Sequence, residues 1–118
     1  MNVQRGDVVM VRFPFADGVT TKVRPGVIIQ NDRNNQRFEN VILAQVTSRL
    51  GPPSESTRFV IDPKTPDGGP SGLTLMSAVS CENLATVQKS RIVKVVGHLS
   101  DIHKKCLDAC LKASLDLT

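Results

Sequence analysis

Aromatic residues are scarce in this sequence of 118 residues, which has no tryptophan and no tyrosine. Its aromatic side chains are four phenylalanines, Phe13, Phe15, Phe38 and Phe59. Because base stacking needs rings, this scarcity argues against a nucleic-acid binder that stacks many bases. The sequence also lacks an apolar signal core at its N-terminus and any apolar run of membrane-spanning length, so we expect no membrane segment and a cytoplasmic location.

Cysteine is equally scarce, with three residues and no pair at zinc-ribbon spacing, which favours reduced thiols. His103, Cys106 and Cys110 follow helical spacing and would face one metal ion from one side of a helix. Apolar residues share that side and free cysteine is usually buried, so we favour core packing and expect no metal site. Cys81 lies within an apolar alternation, which favours a buried thiol over a nucleophile that would need a nearby base.

The overall composition is that of a soluble globular protein. Hydrophobic residues make up 40% of the chain and charged residues 22%, which excludes a disordered protein. The length predicts one domain over residues 1–118 with a single hydrophobic core. The net charge of +4 favours a polyanionic partner, although an excess of this size does not identify one.

Short apolar stretches separated by turn-forming residues predict a mainly β protein with a C-terminal helix. The predicted strands are 7–15, a second that opens at Arg24, then 40–47, 57–61, 77–86 and 92–99. Clusters of Gly, Pro, Asn and Asp predict loops or turns at 16–23, 31–36 and 49–56. We expect a strongly bent sheet or small barrel with the helix packed on it.

The terminal helix has a clear start signal. Ser100 is a good N-cap, and Asp101 places an anion in the first turn, where the helix dipole favours it. A predicted apolar stripe follows, formed by Ile102, Cys106, Cys110, Ala113 and Leu117 and widened by Leu107 and Leu111.

Arg24 is the residue best placed for chemistry. Pro25 biases it toward an extended backbone, and the apolar run after Gly26 predicts a buried strand, so a permanent cation is held at the edge of a rigid element. Such a group suits phosphate recognition or the stabilisation of developing phosphate charge. The alternative is an ordinary surface cation at the end of a strand.

A second candidate group lies at the end of the third strand. If the second and third strands are antiparallel neighbours, Arg24 lies near the hydroxyls of Thr47 and Ser48. Glu82 and Asn83 would approach from a neighbouring strand. The alternative for the hydroxyls is local hydrogen bonding that caps the loop.

Several stretches in the right order resemble the MazF/PemK family of bacterial toxin endoribonucleases. They are Arg5-Gly6-Asp7-Val8-Val9-Met10-Val11, Phe13-Pro14-Phe15, Arg24-Pro25 followed by Val27-Ile28-Ile29-Gln30-Asn31-Asp32, Val46-Thr47-Ser48, and 77–92 with the following Val96-Gly97-His98-Leu99-Ser100. The resemblance implies a small SH3-like barrel of the CcdB/MazF toxin type, assembled as a homodimer. It also implies a cognate antitoxin as partner and no cofactor.

The activity implied by the resemblance is metal-independent, sequence-specific cleavage of single-stranded RNA, leaving a 2′,3′-cyclic phosphate and a 5′-hydroxyl. The family's catalytic arginine and hydroxyl fall on Arg24 and Thr47, and its later acidic and amide pair falls on Glu82 and Asn83, where the family commonly has Gln in place of Asn. Val19, before Thr20, replaces the small polar residues that are common in the family's first loop.

We also expect contacts to RNA from residues outside the catalytic pair. Phe15 is the ring available for stacking, with plugging of the barrel as the alternative. Lys22, Arg49 and Arg58 are candidates for phosphate contacts, and each of these cations is equally well explained as a solvated surface charge. Ser48 is expected to support Thr47. A competing function is a non-catalytic binding module on the same fold that inhibits a protein target such as gyrase, and a third is a family member that binds RNA or antitoxin without turnover.

Overall fold

The computed structural model describes residues 1–14 and 21–118, with Pro14 described by its backbone alone. The strands are β1 Asp7–Pro14, β2 Thr21–Ile28, β3 Asn40–Thr47, β4 Arg58–Ile61, β5 Ser77–Gln88 and β6 Ile92–His98. The helices are α1 Asp32–Arg37 and α2 Asp101–Leu115, with short 3₁₀ helices at Gly69–Ser71 and Lys89–Arg91. The predicted class, mainly β with a C-terminal helix, is confirmed.

The six strands form one antiparallel sheet in the order β4-β5-β3-β2-β1-β6. Strand β5 contains a bulge, because Ala44 of β3 pairs with Leu84 whereas the next residue, Gln45, pairs with Ser80. Residues 81–83 are therefore extra residues on the β5 side of the ladder. A bulge bends its strand and increases the local twist, which curls the sheet at this point.

Apolar side chains pack on both faces of the sheet. Val8 and Val27 belong to the core that α2 covers, whereas their neighbours Val9 and Ile28 belong to a second core. All four are fully buried. Successive side chains of a strand point to opposite faces, so β1 lies between two cores rather than beside the single core that the chain length predicts.

Helix α2 begins where the sequence predicts. The Ser100 hydroxyl accepts a hydrogen bond from the His103 backbone N–H at 3.2 Å, which satisfies a donor of the first turn. Leu107 and Cys110 are buried against β4 and β5. In the described part of the chain, no helix combines the length and the apolar character needed to cross a membrane.

The predicted apolar stripe of α2 is only partly right. Cys106 and Leu111 pack against the core with Leu107 and Cys110, but the other stripe residues, Ile102, Ala113 and Leu117, are exposed. The buried stripe is shorter than predicted because the helix contacts the sheet along its middle turns. Stripe residues toward either end therefore stay in solvent, although they follow the same helical period.

Helix α1, Asp32–Arg37, replaces most of the turn that the sequence predicts at 31–36. The Asn31 side chain caps it by accepting a hydrogen bond from the Asn34 N–H at 2.8 Å. The buried Asn35 amide donates to the Gln30 carbonyl oxygen at 2.9 Å and accepts from the Gln30 side chain at 3.0 Å. These bonds hold the connection between β2 and β3 in one conformation.

The segment after the 3₁₀ helix Gly69–Ser71 packs tightly against β6. A Cβ at Gly97 would lie 2.2 Å from the Pro70 carbonyl oxygen, and Gly72 has a φ of 71°, a left-handed conformation that favours glycine. Residues 72–77 are thereby held beside β6, where they form one wall of the cleft described next.

Candidate active site

A cleft of about 540 Å³ lies where β2, the end of β3 and β6 approach residues 72–77. Its cationic and hydroxyl lining includes Lys22, Arg24, Thr47, Ser48, Arg49 and Lys94. Apolar side chains complete the surface, among them the half-buried Met10 and Leu75, which is 65% exposed. The cleft therefore offers both charge and aliphatic contact area to a ligand.

The antiparallel pairing of β2 with β3 brings Arg24 and Thr47 to the same cleft. The β2–β3 ladder runs from Ile28 paired with Leu43 to Gly26 paired with Gln45, and beyond that end both Arg24 and Thr47 line the cleft. The predicted neighbourhood of the two strands is thus confirmed. Arg24 does not open β2 as predicted, because the strand begins at Thr21, where it pairs with β1.

The Thr47 hydroxyl makes a local hydrogen bond. Its oxygen accepts from the Arg49 backbone N–H at 3.1 Å, which is the loop-capping contact that the sequence left open as an alternative. Among the described residues, the hydroxyl hydrogen has no acceptor in the hydrogen-bond network. Thr47 itself is half-buried, and Ser48 beside it is exposed.

The charge of the cleft is of one sign. Four cationic side chains line it, and no carboxylate does so among the residues that the structure describes. In the same part of the chain both ion pairs, Arg5–Asp108 and Arg58–Glu82, lie outside this lining. A one-sided field of this kind attracts an anion and concentrates it at the site.

A smaller cleft of about 230 Å³ shares Arg24, Thr47 and Arg49 with the first and extends toward β4 and β5. Asn83 lines this extension, and its side chain donates to the Ser80 hydroxyl at 3.0 Å. Asn83 belongs to the extra residues of the β5 bulge, which is the irregularity that turns this part of the strand toward the site.

Glu82 is the centre of a polar network beside this extension. Arg58 forms an ion pair with it and also donates to the Arg49 carbonyl oxygen at 3.0 Å. The Thr57 hydroxyl lies 2.6 Å from one Glu82 oxygen and 2.9 Å from Glu55, and its single proton serves one carboxylate at a time. The network ties β4 and β5 to the loop that carries Arg49.

The pKa of Glu82 is lower than usual. The Thr57 hydrogen bond contributes most, followed by the hydrogen bond and the charge of Arg58. Glu82 therefore stabilises the folded state above the pKa that it has in the unfolded chain, and this contribution is lost as the pH falls through its lower native pKa.

We expect Glu82→Gln to reduce the free energy of unfolding near neutral pH by no more than about 1 kcal/mol, since the pair is partly exposed. The difference from the unsubstituted protein should shrink in acid, where Glu82 is protonated in both states. Urea unfolding across the acidic range measures it. A difference that is constant over that range would contradict the role given to the carboxylate.

The remaining predicted residues are distributed as follows. Lys22, Ser48 and Arg49 lie in the main cleft, whereas Arg58, held by Glu82, lines the smaller cleft and not the main one. Phe15 lies outside the described residues, as do residues 16–20 of the predicted loop. Sequence reasoning missed Thr74, Ser77 and Lys94, which reach the cleft through strand pairing and the tight packing at Gly97.

The cysteines belong to the core, as predicted. Burial, followed by the proximity of Cys110 and Glu82, raises the pKa of the Cys81 thiol to about 12, so the thiolate that a nucleophile requires is scarcely formed at neutral pH. Cys106 and Cys110 pack in the same cluster.

His103, the third residue of the candidate metal group, stacks on Phe59 with ring centroids 5.8 Å apart. In the part of the chain that the structure covers, no group of three or more His, Cys, Asp or Glu residues is arranged to hold a metal ion.

Solved structures share this fold. The chain is similar to an endoribonuclease from a mycobacterial species in complex with its cognate antitoxin, with a TM-score of 0.77, 18% identity, and coverage of 98% of this chain and 97% of the other. It is also similar to a chain of MazE-MazF (Form-II) from Deinococcus radiodurans, with a TM-score of 0.77, 13% identity, and coverage of 100% and 99%. These likenesses show that the curled sheet with its terminal helix is the fold of MazF toxins.

Sequence comparison identifies the family. Endoribonuclease EndoA of Bacillus subtilis (strain 168) is 30% identical over 118 residues, which cover 99% of this chain and 97% of that protein. The family described as "PemK-like, MazF-like toxin of type II toxin-antitoxin system" matches residues 4–115. With almost the whole chain matched and the MazF fold in place, the protein belongs to the PemK/MazF-like toxin family.

Proposed function

We propose that this protein is a sequence-specific, metal-independent endoribonuclease that cleaves single-stranded RNA. The observation that supports it most is the meeting of the Arg24 guanidinium and the Thr47 hydroxyl at one cationic cleft. The name of the relative EndoA points to the same activity. We take messenger RNA in the cytoplasm as its substrate.

The reaction is an in-line attack of a ribose 2′-hydroxyl on the adjacent phosphorus. The new O2′–P bond forms as the P–O5′ bond breaks, the 2′-hydroxyl loses its proton, and the departing 5′-oxygen gains one. The products are a 2′,3′-cyclic phosphate and a 5′-hydroxyl. Because the nucleophile and the phosphate belong to one molecule, correct orientation supplies much of the acceleration.

Arg24 and Thr47 have separate tasks in this reaction. Arg24 binds the non-bridging oxygens through its planar fork of N–H donors as negative charge accumulates on them. Thr47 donates its hydroxyl hydrogen to the phosphate or holds the 2′-hydroxyl in line. Neither histidine lines the cleft among the described residues, so we assign no histidine as general base.

Base recognition would use the rest of the cleft. Unpaired bases expose their edges and faces to a protein groove, and aliphatic side chains such as Val23 and Leu75 offer contact area in a chain with few rings. Phe15, Lys22 and Arg49 keep their proposed roles in stacking and phosphate contact, and Glu82 and Asn83 keep theirs as support on β5.

Two partners belong to the proposal. A cognate antitoxin with an acidic, partly disordered segment would cover the cationic cleft through opposite charge. Structural relatives have been solved as complexes with an antitoxin or with MazE. A second copy of the chain would form a homodimer. Exposed Leu115, the last residue of α2, and Leu117 after it supply apolar surface for such contacts.

The test is incubation of the purified protein with a long unstructured RNA in excess EDTA, followed by sequencing of the RNA ends. We expect discrete fragments with 5′-hydroxyl and 2′,3′-cyclic phosphate ends at one short sequence. Intact RNA together with blocked DNA supercoiling by gyrase would favour the non-catalytic alternative. Cleavage only after a metal ion is restored would contradict metal independence.

A further inference from the structure

Lys94 extends the cationic surface of the cleft to a strand that sequence reasoning did not connect with the site. Lys94 and Val96 of β6 line the cleft, and alternate side chains of a strand share a face. Lys94 is exposed, so its ammonium group is accessible to a ligand that enters the cleft.

Strand pairing fixes where Lys94 lies relative to Arg24. Met10 of β1 pairs with Lys94 on one side and with Pro25 on the other, and all three residues line the cleft. Two strand spacings separate the ends of this row, so the Cα atoms of Lys94 and Pro25 lie about 10 Å apart. Strand β1 therefore separates Lys94 from β2, the strand that carries Arg24.

The surroundings leave the charge of Lys94 available. In the part of the chain that the structure describes, no carboxylate lies within ion-pair distance of Lys94, and none lines the cleft. An ammonium group on a flexible stem binds phosphate as a point charge without strict geometry. That chemistry suits a neighbouring phosphate better than the reacting one, for which Arg24 has the planar fork.

We propose that Lys94 binds a backbone phosphate that flanks the scissile one and so positions the RNA across β6, β1 and β2. The inference rests on the proposed function, since it assigns a further contact within the same substrate site. Lys94 is a binding and positioning residue here, and the chemistry stays with Arg24 and Thr47.

The experiment measures RNA binding and cleavage separately. The binding probe is a short fluorescent 2′-O-methyl RNA of mixed sequence, titrated by anisotropy at several salt concentrations. The affinity for RNA falls as the salt concentration rises. Loss of one phosphate contact should make the plot of log affinity against log salt shallower, by about 0.7 in slope for a single strand. We expect Lys94→Gln to show this change, Lys94→Glu to weaken binding further, and Lys94→Arg to restore it.

In cleavage of a long RNA, Lys94→Gln should raise KM and leave kcat unchanged. The matched control is Lys105→Gln, an exposed lysine on α2 outside the cleft, which should match the unsubstituted protein in both assays. An unchanged salt slope in Lys94→Gln, an equal change in Lys105→Gln, or a lower kcat with unchanged binding would overturn the inference.

The two proposals fail in different ways. If the unsubstituted protein binds the probe but cuts no RNA, the nuclease proposal fails while the salt slopes still decide the role of Lys94. If it binds no RNA at all, both are overturned. The unfolding temperature of each variant should match that of the unsubstituted protein, because the replaced side chains are exposed.

Discussion

Replacement of Arg24 with alanine should slow RNA cleavage about a hundred- to a thousand-fold, the usual cost of removing one preorganised donor from a developing oxyanion. The side chain is exposed in the cleft and contributes little to the core, so the unfolding temperature should stay close to that of the unsubstituted protein. Single-turnover cleavage of an end-labelled RNA measures the rate.

Two further variants sharpen this prediction. Arg24→Lys keeps the charge but loses the two-pronged hydrogen bonding, so its rate should fall between those of the unsubstituted protein and Arg24→Ala. Arg33→Ala removes an exposed arginine of α1 outside the cleft and should cut normally. Full activity in Arg24→Ala would remove this residue from the mechanism.

Thr47→Val should reduce the cleavage rate about a hundred-fold, since valine keeps the β-branched shape and loses the hydroxyl. Thr47→Ser should retain most of the activity. The loss should appear in kcat, because the hydroxyl acts on the reacting phosphate.

The local bond from the Arg49 N–H to the Thr47 oxygen gives this prediction a competing explanation. If the hydroxyl served only to hold the loop, Thr47→Val would lower the unfolding temperature and weaken RNA binding while leaving kcat intact. Thr86→Val, at an exposed position of β5 outside both clefts, is the control for the general cost of the exchange.

The features that the sequence predicts well depend on neighbouring residues. An unbroken apolar run predicts β1, and Ser100 starts the terminal helix through a bond to a residue three positions away. The approach of Arg24 to Thr47 is also nearly local, because one short connection joins their strands.

The features that the sequence does not predict depend on the burial of polar side chains or on strands that lie far apart in the chain. Helix α1 needs the buried Gln30 amide, which also donates to the Asn40 carbonyl oxygen across the connection at 3.0 Å. The pairing of Arg58 with Glu82 requires β4 to lie beside β5, and the position of Lys94 requires β6 to return to β1. No local pattern around these residues specifies such pairings.

The most direct test asks whether Arg24 and Thr47 act on the same phosphodiester. Single-turnover cleavage rates are measured at saturating RNA for Arg24→Ala, for Thr47→Val and for the double variant. Residues that stabilise one transition state together are strongly non-additive, so the double variant should be little slower than the slower single variant. Independent losses that multiply in the double variant would contradict a shared phosphate.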